Sequence, residues 1–404
     1  MISLGSTDRG TSPEAIKNYL GRVLQVTQFS TGDKLRGDKD GQLVPFQEID
    51  AGEAMSVAQV QQFLHDAGFL PYGQIDGICG YRTTAAIRLF QEYVRTVDGD
   101  QSIGSPDGVL GTKGLAVIGS WQRAGKKADW RGTPAGPSHA RGIELLNEIK
   151  QRCRAPSRLL RMVNEYTRPT DTLEVDQWDF NPDHIHLVGV RKNTRESESQ
   201  FNDVFFLLLR GMVFTFFGST DPGASDDPAG APFLTSGQHL YRFAWHKLSD
   251  ASRVYQALRP QRHGVLVVRS RDDRVLTDSD LASGLTANKL INVHWGGEGF
   301  GEIKKWSEGC QVITGKAYLN HRNTLIDMAR FAAPFYTSLG TTVNGCYQSK
   351  GAYTVLTDLV TSFSGDQDNV VRYLLLTDDE LAVSPALAAM IEGARKQFGT
   401  IRQA

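Results

Sequence analysis

Apolar side chains recur with two different periods along this chain, and the change falls near its middle. In the first half the period is helical. Residues 12–25 open with Ser12 as a candidate N-cap, Pro13 at the first helical position and Glu14 in the first turn, which are helix-start signals. From Ser56 onward, Val57, Val60, Gln61, Phe63 and Leu64 fit a helix with one apolar face. Thr83 to Gln91 predicts a second helix, and Ile143 to Met162 a further one broken at Pro156. From about Asp183 the apolar runs become short, β-branched or aromatic, and bounded by turn residues. His184–Val190, Asp203–Leu209, Met212–Phe217, Gly264–Val268 and Arg372–Leu376 predict strands of a mainly antiparallel β domain. Helices are expected again at Leu319–Phe331 and Pro385–Phe398. Residues 30–52 and 123–140 predict loops or linkers.

Length and composition narrow the classes. A chain of 404 residues predicts two or three domains. Lys+Arg of 44 against Asp+Glu of 45 leaves a net charge of -1, so no global field favours nucleic acid or an anionic membrane. Cys79, Cys153, Cys310 and Cys346 have no CxxC spacing, which indicates neither a zinc ribbon nor a thioredoxin-type site. Met1 to Gly10 has no basic start and no apolar core, unlike a secretory signal. Val204 to Phe217 is interrupted by Arg210 and Gly211 and falls short of the about 20 apolar residues of a membrane span. The expectation is a chain made in the cytoplasm without a signal peptide or membrane span, needing no cofactor and no resident metal.

Two segments carry an internal repeat. From Asp76, glycine recurs at Gly77 and Gly80, alanine at Ala85, an aromatic at Phe90 and glutamine at Gln91. From Asp107 the same types fall at Gly108, Gly111, Ala116, Trp121 and Gln122, an offset of 31 residues. Asp-Gly allows a tight turn, the second glycine suits a helix start, and the aromatic packs back on the core. This pattern resembles the three-helix peptidoglycan-binding domain of many wall hydrolases. The match is close over residues 55–95 and looser over 103–122, where Gly114 stands at the position of Thr83. The resemblance implies a module built on Asp76, Gly77, Gly80, Thr83, Phe90 and Gln91, with bacterial peptidoglycan as its partner.

The candidate chemistry lies further on. Ile291-Asn292-Val293-His294-Trp295-Gly296-Gly297 reads as a strand ending in two glycines. Trp306-Ser307-Glu308-Gly309-Cys310 then leads into a new apolar run. A thiol needs a neighbouring imidazole to become a good nucleophile, and a return of the chain can bring the two together. Gly309 would let the backbone approach a substrate carbonyl, and the polar Ser307 and Glu308 predict an exposed turn. A lone cysteine is more often a buried apolar residue, and a lone histidine on an apolar strand is more often a satisfied core residue. The spacing resembles the signature of the L,D-transpeptidase catalytic domain, which acts on peptidoglycan stem peptides. The resemblance covers roughly residues 180–335. It implies Cys310 as nucleophile with its own N–H as an oxyanion donor, His294 as base, and the Trp295 carbonyl orienting the imidazole. Glu308 stands where the family has histidine, and Gln311-Val312-Ile313 follows the cysteine in place of the usual Arg or Asn. A carboxylate there raises the thiol pKa unless Lys304 or Lys305 pairs with it. Together with Phe201-Asn202-Asp203 and Ser219-Thr220-Asp221-Pro222-Gly223, the motif resembles a divergent branch found in phage and wall-lytic proteins. Candidate substrate contacts are Tyr241, Trp245, His246, Gly296, Gly297, Trp306 and Glu308.

The expected architecture is multidomain α+β. A helix and linker occupy residues 1–50, the peptidoglycan-binding domain 51–125, and a linker and helix 126–155. An L,D-transpeptidase-like domain with a C-terminal helix occupies 156–404. The expected function is a cysteine enzyme acting on stem peptides through an acyl-enzyme, as a carboxypeptidase or endopeptidase or by transpeptidase exchange. A wall-degrading antibacterial effector of a contractile secretion system, or a phage lysin, fits that activity. It would act in the periplasm or at the wall, with an immunity protein or a secretion component as further partners. Two alternatives remain: a zinc peptidase using His184, His186 and one of His239, His246 or His294, and a non-catalytic wall-binding protein.

Overall fold

A computed structural model describes residues 1–19, 46–50, 52–134, 136–192, 201–223, 227–247, 255–270, 276–299, 306–365, 369–381 and 385–402. The helical half contains α1 (Val57–Asp66), α2 (Tyr81–Thr96) and α3 (Thr112–Ala124). Ser56 caps α1 in a capping box with Gln59, so two end donors are satisfied. Ser12 Oγ accepts from Ala15 N at 3.1 Å, starting the helical turn at 13–19; the rest of the helix expected over 12–25 lies outside the described residues. Phe63, Phe69, Phe90 and Trp121 meet edge-on or tilted at 5.2–6.3 Å, the aromatic geometry that fills a small core. Ile2 pairs with Leu110, and Ser6–Thr7 pairs with Gln47–Glu48. The chain's start is thereby part of this unit.

The repeat is visible as two equivalent polar staples. Gln61 accepts the Asp76 and Gly77 N–H groups at 3.0 and 2.9 Å and donates to Asp76 and Thr83. Gln91 accepts the Gly108 N–H at 2.9 Å and donates to Asp107 and the Val109 carbonyl. Each glutamine therefore precedes the turn it holds. Gln91 serves the second turn, not the first, and Gln122 is exposed. Gly77 and Gly108 have φ of +70° and +80°, where a side chain is strained.

The β half is built on eight strands: β1 (Ile185–Arg191), β2 (Asp203–Leu209), β3 (Met212–Ser219), β4 (Gly237–His246), β5 (Tyr255–Pro260), β6 (Val293–Trp295), β7 (Gln311–Leu319) and β8 (Val370–Thr377). They close into a barrel in the order β6-β5-β4-β8-β1-β2-β3-β7, with β7 returning to β6. Neighbours run antiparallel except β1 with β8 and β6 with β7. Arg210 and Gly211, at φ 47° and 85°, form the turn between β2 and β3.

Both faces of the wall are buried. Inward side chains such as Phe205, Phe216 and Tyr373 share one continuous core with the helical half. Outward ones such as Val188, Phe206 and Leu374 pack under α4 (His139–Cys153), α5 (Arg158–Asn164) and α7 (Pro385–Arg402). No described helix is long and apolar enough to cross a membrane.

One predicted helix is absent. Over residues 319–331 the structure has the end of β7, a turn and the strand Leu325–Asp327. Asn323 takes φ 59°, and the Asn320 side chain accepts two backbone N–H groups of the turn. This turn chemistry overrides the helical spacing. A helix not anticipated, α6 (Ala352–Phe363), lies between α2 and the barrel. Arg88 on α2 grips its Asp358 through two bonds of 2.7 and 2.6 Å. Tyr353 of α6 donates to the carbonyls of Gln256 and Val293. Beside this contact, Tyr318 of β7 donates to Glu92 of α2 at 2.6 Å. The two halves are therefore packed together through buried polar bonds.

Candidate active site

Strand pairing brings the two motifs side by side. Val293, His294 and Trp295 align in parallel with Gln311, Val312 and Ile313. Cys310 therefore sits beside Asn292, which donates its backbone N–H to Cys310 Sγ at 3.3 Å. The thiol itself reaches the Leu290 carbonyl at 3.3 Å. Asn292 and His294 lie two apart and so share a strand face. The Asn292 amide contacts His246 Nδ1 at 3.0 Å, and the His246 ring stacks on His294 at 4.4 Å. Cys310, Asn292, His246 and His294 thus form one continuous cluster. Among the described residues the thiol makes no hydrogen bond to either imidazole.

His294 is fixed by its neighbours. Its Nδ1 lies 2.8 Å from the Trp295 carbonyl and 3.1 Å from the Tyr255 hydroxyl. A carbonyl only accepts, so Nδ1 carries the proton and Nε2 the lone pair. Burial pushes the His294 pKa down to about 4, partly offset by the Trp295 bond. Burial likewise lowers His246, with the neighbouring His294 adding to the effect. Burial pushes the Cys310 thiol up to about 11; the Asn292 N–H, Lys247 and Arg259 oppose this, and Glu308 adds to it. At neutral pH thiol and imidazole are both uncharged. The cluster can act as a neutral nucleophile and base, with proton transfer accompanying attack.

The turn before Cys310 is tighter than its polarity suggests. Ser307 and Gly309 are buried, Glu308 is exposed and Cys310 is half-buried. Ser307 Oγ donates to the Cys310 carbonyl at 2.7 Å and accepts from Gly309 N at 3.0 Å. A Cβ on Gly309 would lie 2.5 Å from Pro232 Cγ. The glycine accommodates a neighbouring strand and not an approaching substrate. The Cys310 N–H has no partner among the described residues, which leaves it available as an oxyanion donor. Lys304 and Lys305 lie outside the described residues.

The upstream motif forms the scaffold beneath this turn. Asp203 accepts from Thr220 N and Thr220 Oγ1 at 2.6 and 2.7 Å. Arg191 bridges Asp221 at 3.1 Å and the Thr220 carbonyl at 2.8 Å. Gln311 donates to that same carbonyl and accepts from Tyr373 across the barrel at 2.9 Å. Gly223 N donates to the Ser307 carbonyl at 2.8 Å.

Several proposed substrate contacts occupy other places. Tyr241 is fully buried and donates to the Ile291 carbonyl. Gly296 and Gly297 are buried, and a Cβ on them would meet Phe201 and Trp306 at 2.8 and 2.7 Å. Trp245 packs against Tyr81 of α2 at 4.7 Å. Trp306 and His246 are half-buried beside the cluster. Sequence reasoning missed Asn292 and Tyr255. The two-residue spacing to His294 was a usable signal for Asn292; Tyr255 had none.

Among the described residues no group of three or more His, Cys, Asp or Glu side chains is placed to hold a metal ion. His184 pairs with Asp179, His186 with the Asn181 carbonyl, and His239 lies between Thr172 and the Thr235 carbonyl.

Comparison with known proteins decides one part of the chain. Residues 54–118 match the family model described as "Putative peptidoglycan binding domain". The chain thus carries a peptidoglycan-binding domain spanning α1, α2 and most of α3. No curated protein and no solved structure matches. Asp76, Gly77, Thr83, Phe90 and Gln91 build the turns and core of this domain, and Gly80 is the N-cap of α2, where Tyr19 takes the space of a side chain and accepts the Tyr81 N–H. Five of the six are buried, and only Asp76 is partly exposed. A groove of about 900 Å³ between α1 and α3 is lined by Gln59, Gln62, Gln122 and Arg123, and it offers polar groups outward.

Proposed function

We propose that this protein is a cysteine-dependent enzyme that acts on peptidoglycan stem peptides, targeted to the wall by its peptidoglycan-binding domain. The observation carrying this reading is the half-buried Cys310 with a free backbone N–H, beside a strand whose His294 keeps its Nε2 lone pair. The sulfur attacks an amide carbonyl, the imidazole takes the thiol proton, and the amine leaves with a proton returned by the imidazole. Water or a second amine then attacks the thioester. Water gives hydrolysis and an amine gives transfer. The spacing shared with L,D-transpeptidases supports this class of substrate, and the domain at 54–118 supports the polymer.

The test is incubation of purified sacculi with wild type and Cys310→Ala, followed by mass spectrometry of the muropeptides. Shortened stems, lost cross-links or exchanged terminal residues with wild type alone support the proposal. Identical muropeptides from both proteins refute it. The raised thiol pKa and the missing thiol–imidazole bond favour a second reading, a non-catalytic wall-binding protein. Sacculus binding by both proteins without any muropeptide change would establish that reading.

A further inference from the structure

A cavity of about 410 Å³ lies in the seam between α2 and the barrel and is lined in part by residues 347–350. One wall belongs to the peptidoglycan-binding domain through Tyr81, Thr84 and Arg88. Trp245 and Tyr255 line it from the barrel side; the Trp245 ring meets that of Tyr81 at 4.7 Å, so the two form one aromatic face, and the Tyr255 hydroxyl is the group that touches His294. A pocket of this size, in which aromatic rings alternate with polar and charged side chains, suits a short peptide.

Its charges are unequal in their commitments. Arg88 is held by both oxygens of Asp358. Asp107, also in the lining, accepts from Gln91 and the Val109 N–H. Lys350 is half-buried, and its ammonium lies 5.0 Å above the Tyr255 ring. Among the described residues it has no carboxylate partner. Burial and the nearby Arg88 lower its pKa to about 8, with Asp358 opposing. It is therefore still charged at neutral pH. A partly desolvated ammonium without a counter-ion is unfavourable, and an arriving carboxylate relieves it.

We propose that this seam binds a short peptide bearing a free carboxylate, with Lys350 as the counter-charge and the touching rings of Trp245 and Tyr81 as its apolar face. The inference rests on the wall-peptide reading above and adds where the peptide lies. A ligand there touches both halves of the protein, so wall binding and placement of the scissile bond are coupled through one site.

The probe is a synthetic wall stem tetrapeptide, compared with its fully amidated form. Binding is measured by calorimetry on the full-length Cys310→Ala protein, which prevents turnover. The free acid should bind about ten- to a hundredfold more tightly than the amide, the range of a charge-assisted bond. Lys350→Met should abolish that preference and Lys350→Arg should keep most of it. Unchanged melting temperatures would show that both variants fold. Equal binding of acid and amide overturns the inference, as does a preference that survives in Lys350→Met. Lys350-dependent binding with sacculi left intact by wild type removes only the catalytic reading. Turnover of sacculi by Lys350→Met at wild-type KM removes only this one.

Discussion

The backbone N–H of Asn292 points at the sulfur of Cys310, 3.3 Å away, in a cluster that also contains His294. This contact favours thiolate, but burial outweighs it and holds the thiol at about 11. Below its pKa, thiolate grows about tenfold per pH unit. Iodoacetamide labelling of Cys310, followed by intact-mass spectrometry, should therefore climb steadily from neutral pH past pH 9 or so. The other three cysteines are buried and should lag. A fast rate that is flat from about pH 6 to 8 would reveal a resting thiolate–imidazolium pair, contrary to the neutral cluster described here.

The Arg88–Asp358 pair joins the two halves and is almost wholly buried on the Asp358 side. Removing one partner strands a buried charge and typically costs about 3–5 kcal/mol. Asp358→Ala and Arg88→Met should each lose stability on that scale in urea unfolding. The combined Arg88→Met, Asp358→Leu protein should recover much of it, because no charge is left unpaired. Single variants within about 1 kcal/mol of wild type would mean that the halves are not held by this bond.

Much of this architecture could be read from the chain. Asp203–Leu209 and Met212–Phe217 announce a hairpin through aromatic and β-branched runs around Arg210-Gly211, and the structure has one there. Barrel closure could not be read, because it depends on the parallel pairings of β1 with β8, far apart in the chain, and of β6 with β7, whose direction no local signal fixes. Helix α6 was illegible for a different reason. It is buried all round, rich in Thr and Val, and starts at Gly351 with no side-chain cap. Its apolar residues Val355, Leu356, Leu359, Val360 and Phe363 do recur at helical spacing, but β-branched residues of low helix propensity and the missing cap gave no start signal. In the site, the His294 and Cys310 motifs were legible by their spacing. The roles of Gly296, Gly297 and Gly309 were not, because a glycine needed for packing looks like one needed for a ligand.

Gln61 and Gln91 hold equivalent turns in the two repeats, and both are buried. Gln61→Ala and Gln91→Ala each leave buried N–H groups without acceptors, at about 1–3 kcal/mol. Gln122→Ala, at an exposed position, should be neutral. Arg123→Glu and Gln62→Glu change the groove between α1 and α3 without touching the core. They should weaken sacculus pull-down while leaving the melting temperature within a degree or two. Sacculus binding that is indifferent to both groove variants would move the glycan contact elsewhere on the domain.

Asp203 ties the scaffold under the cysteine turn to pH. It is fully buried, and burial together with the negative charge of Asp221 pushes its pKa up to about 7, against the bonds from Lys192 and Thr220. In the unfolded chain the value is about 3.9. The folded state thus prefers the protonated acid. Its contribution to stability is complete below the unfolded value and is lost as pH rises through about 7. Wild type should melt at a higher temperature near pH 5 than near pH 8 on account of this group. Asp203→Asn cannot titrate, so its melting temperature should fall less over the same interval. The variant also loses one acceptor oxygen among three donated bonds, so it should start about 1–3 kcal/mol less stable. The difference in slope between the two proteins, and not the absolute melting temperature, isolates Asp203 from every other titrating group. Parallel slopes would show that this carboxylate is already ionised in the fold at about pH 5, held there by Arg191 and the Thr220 bonds.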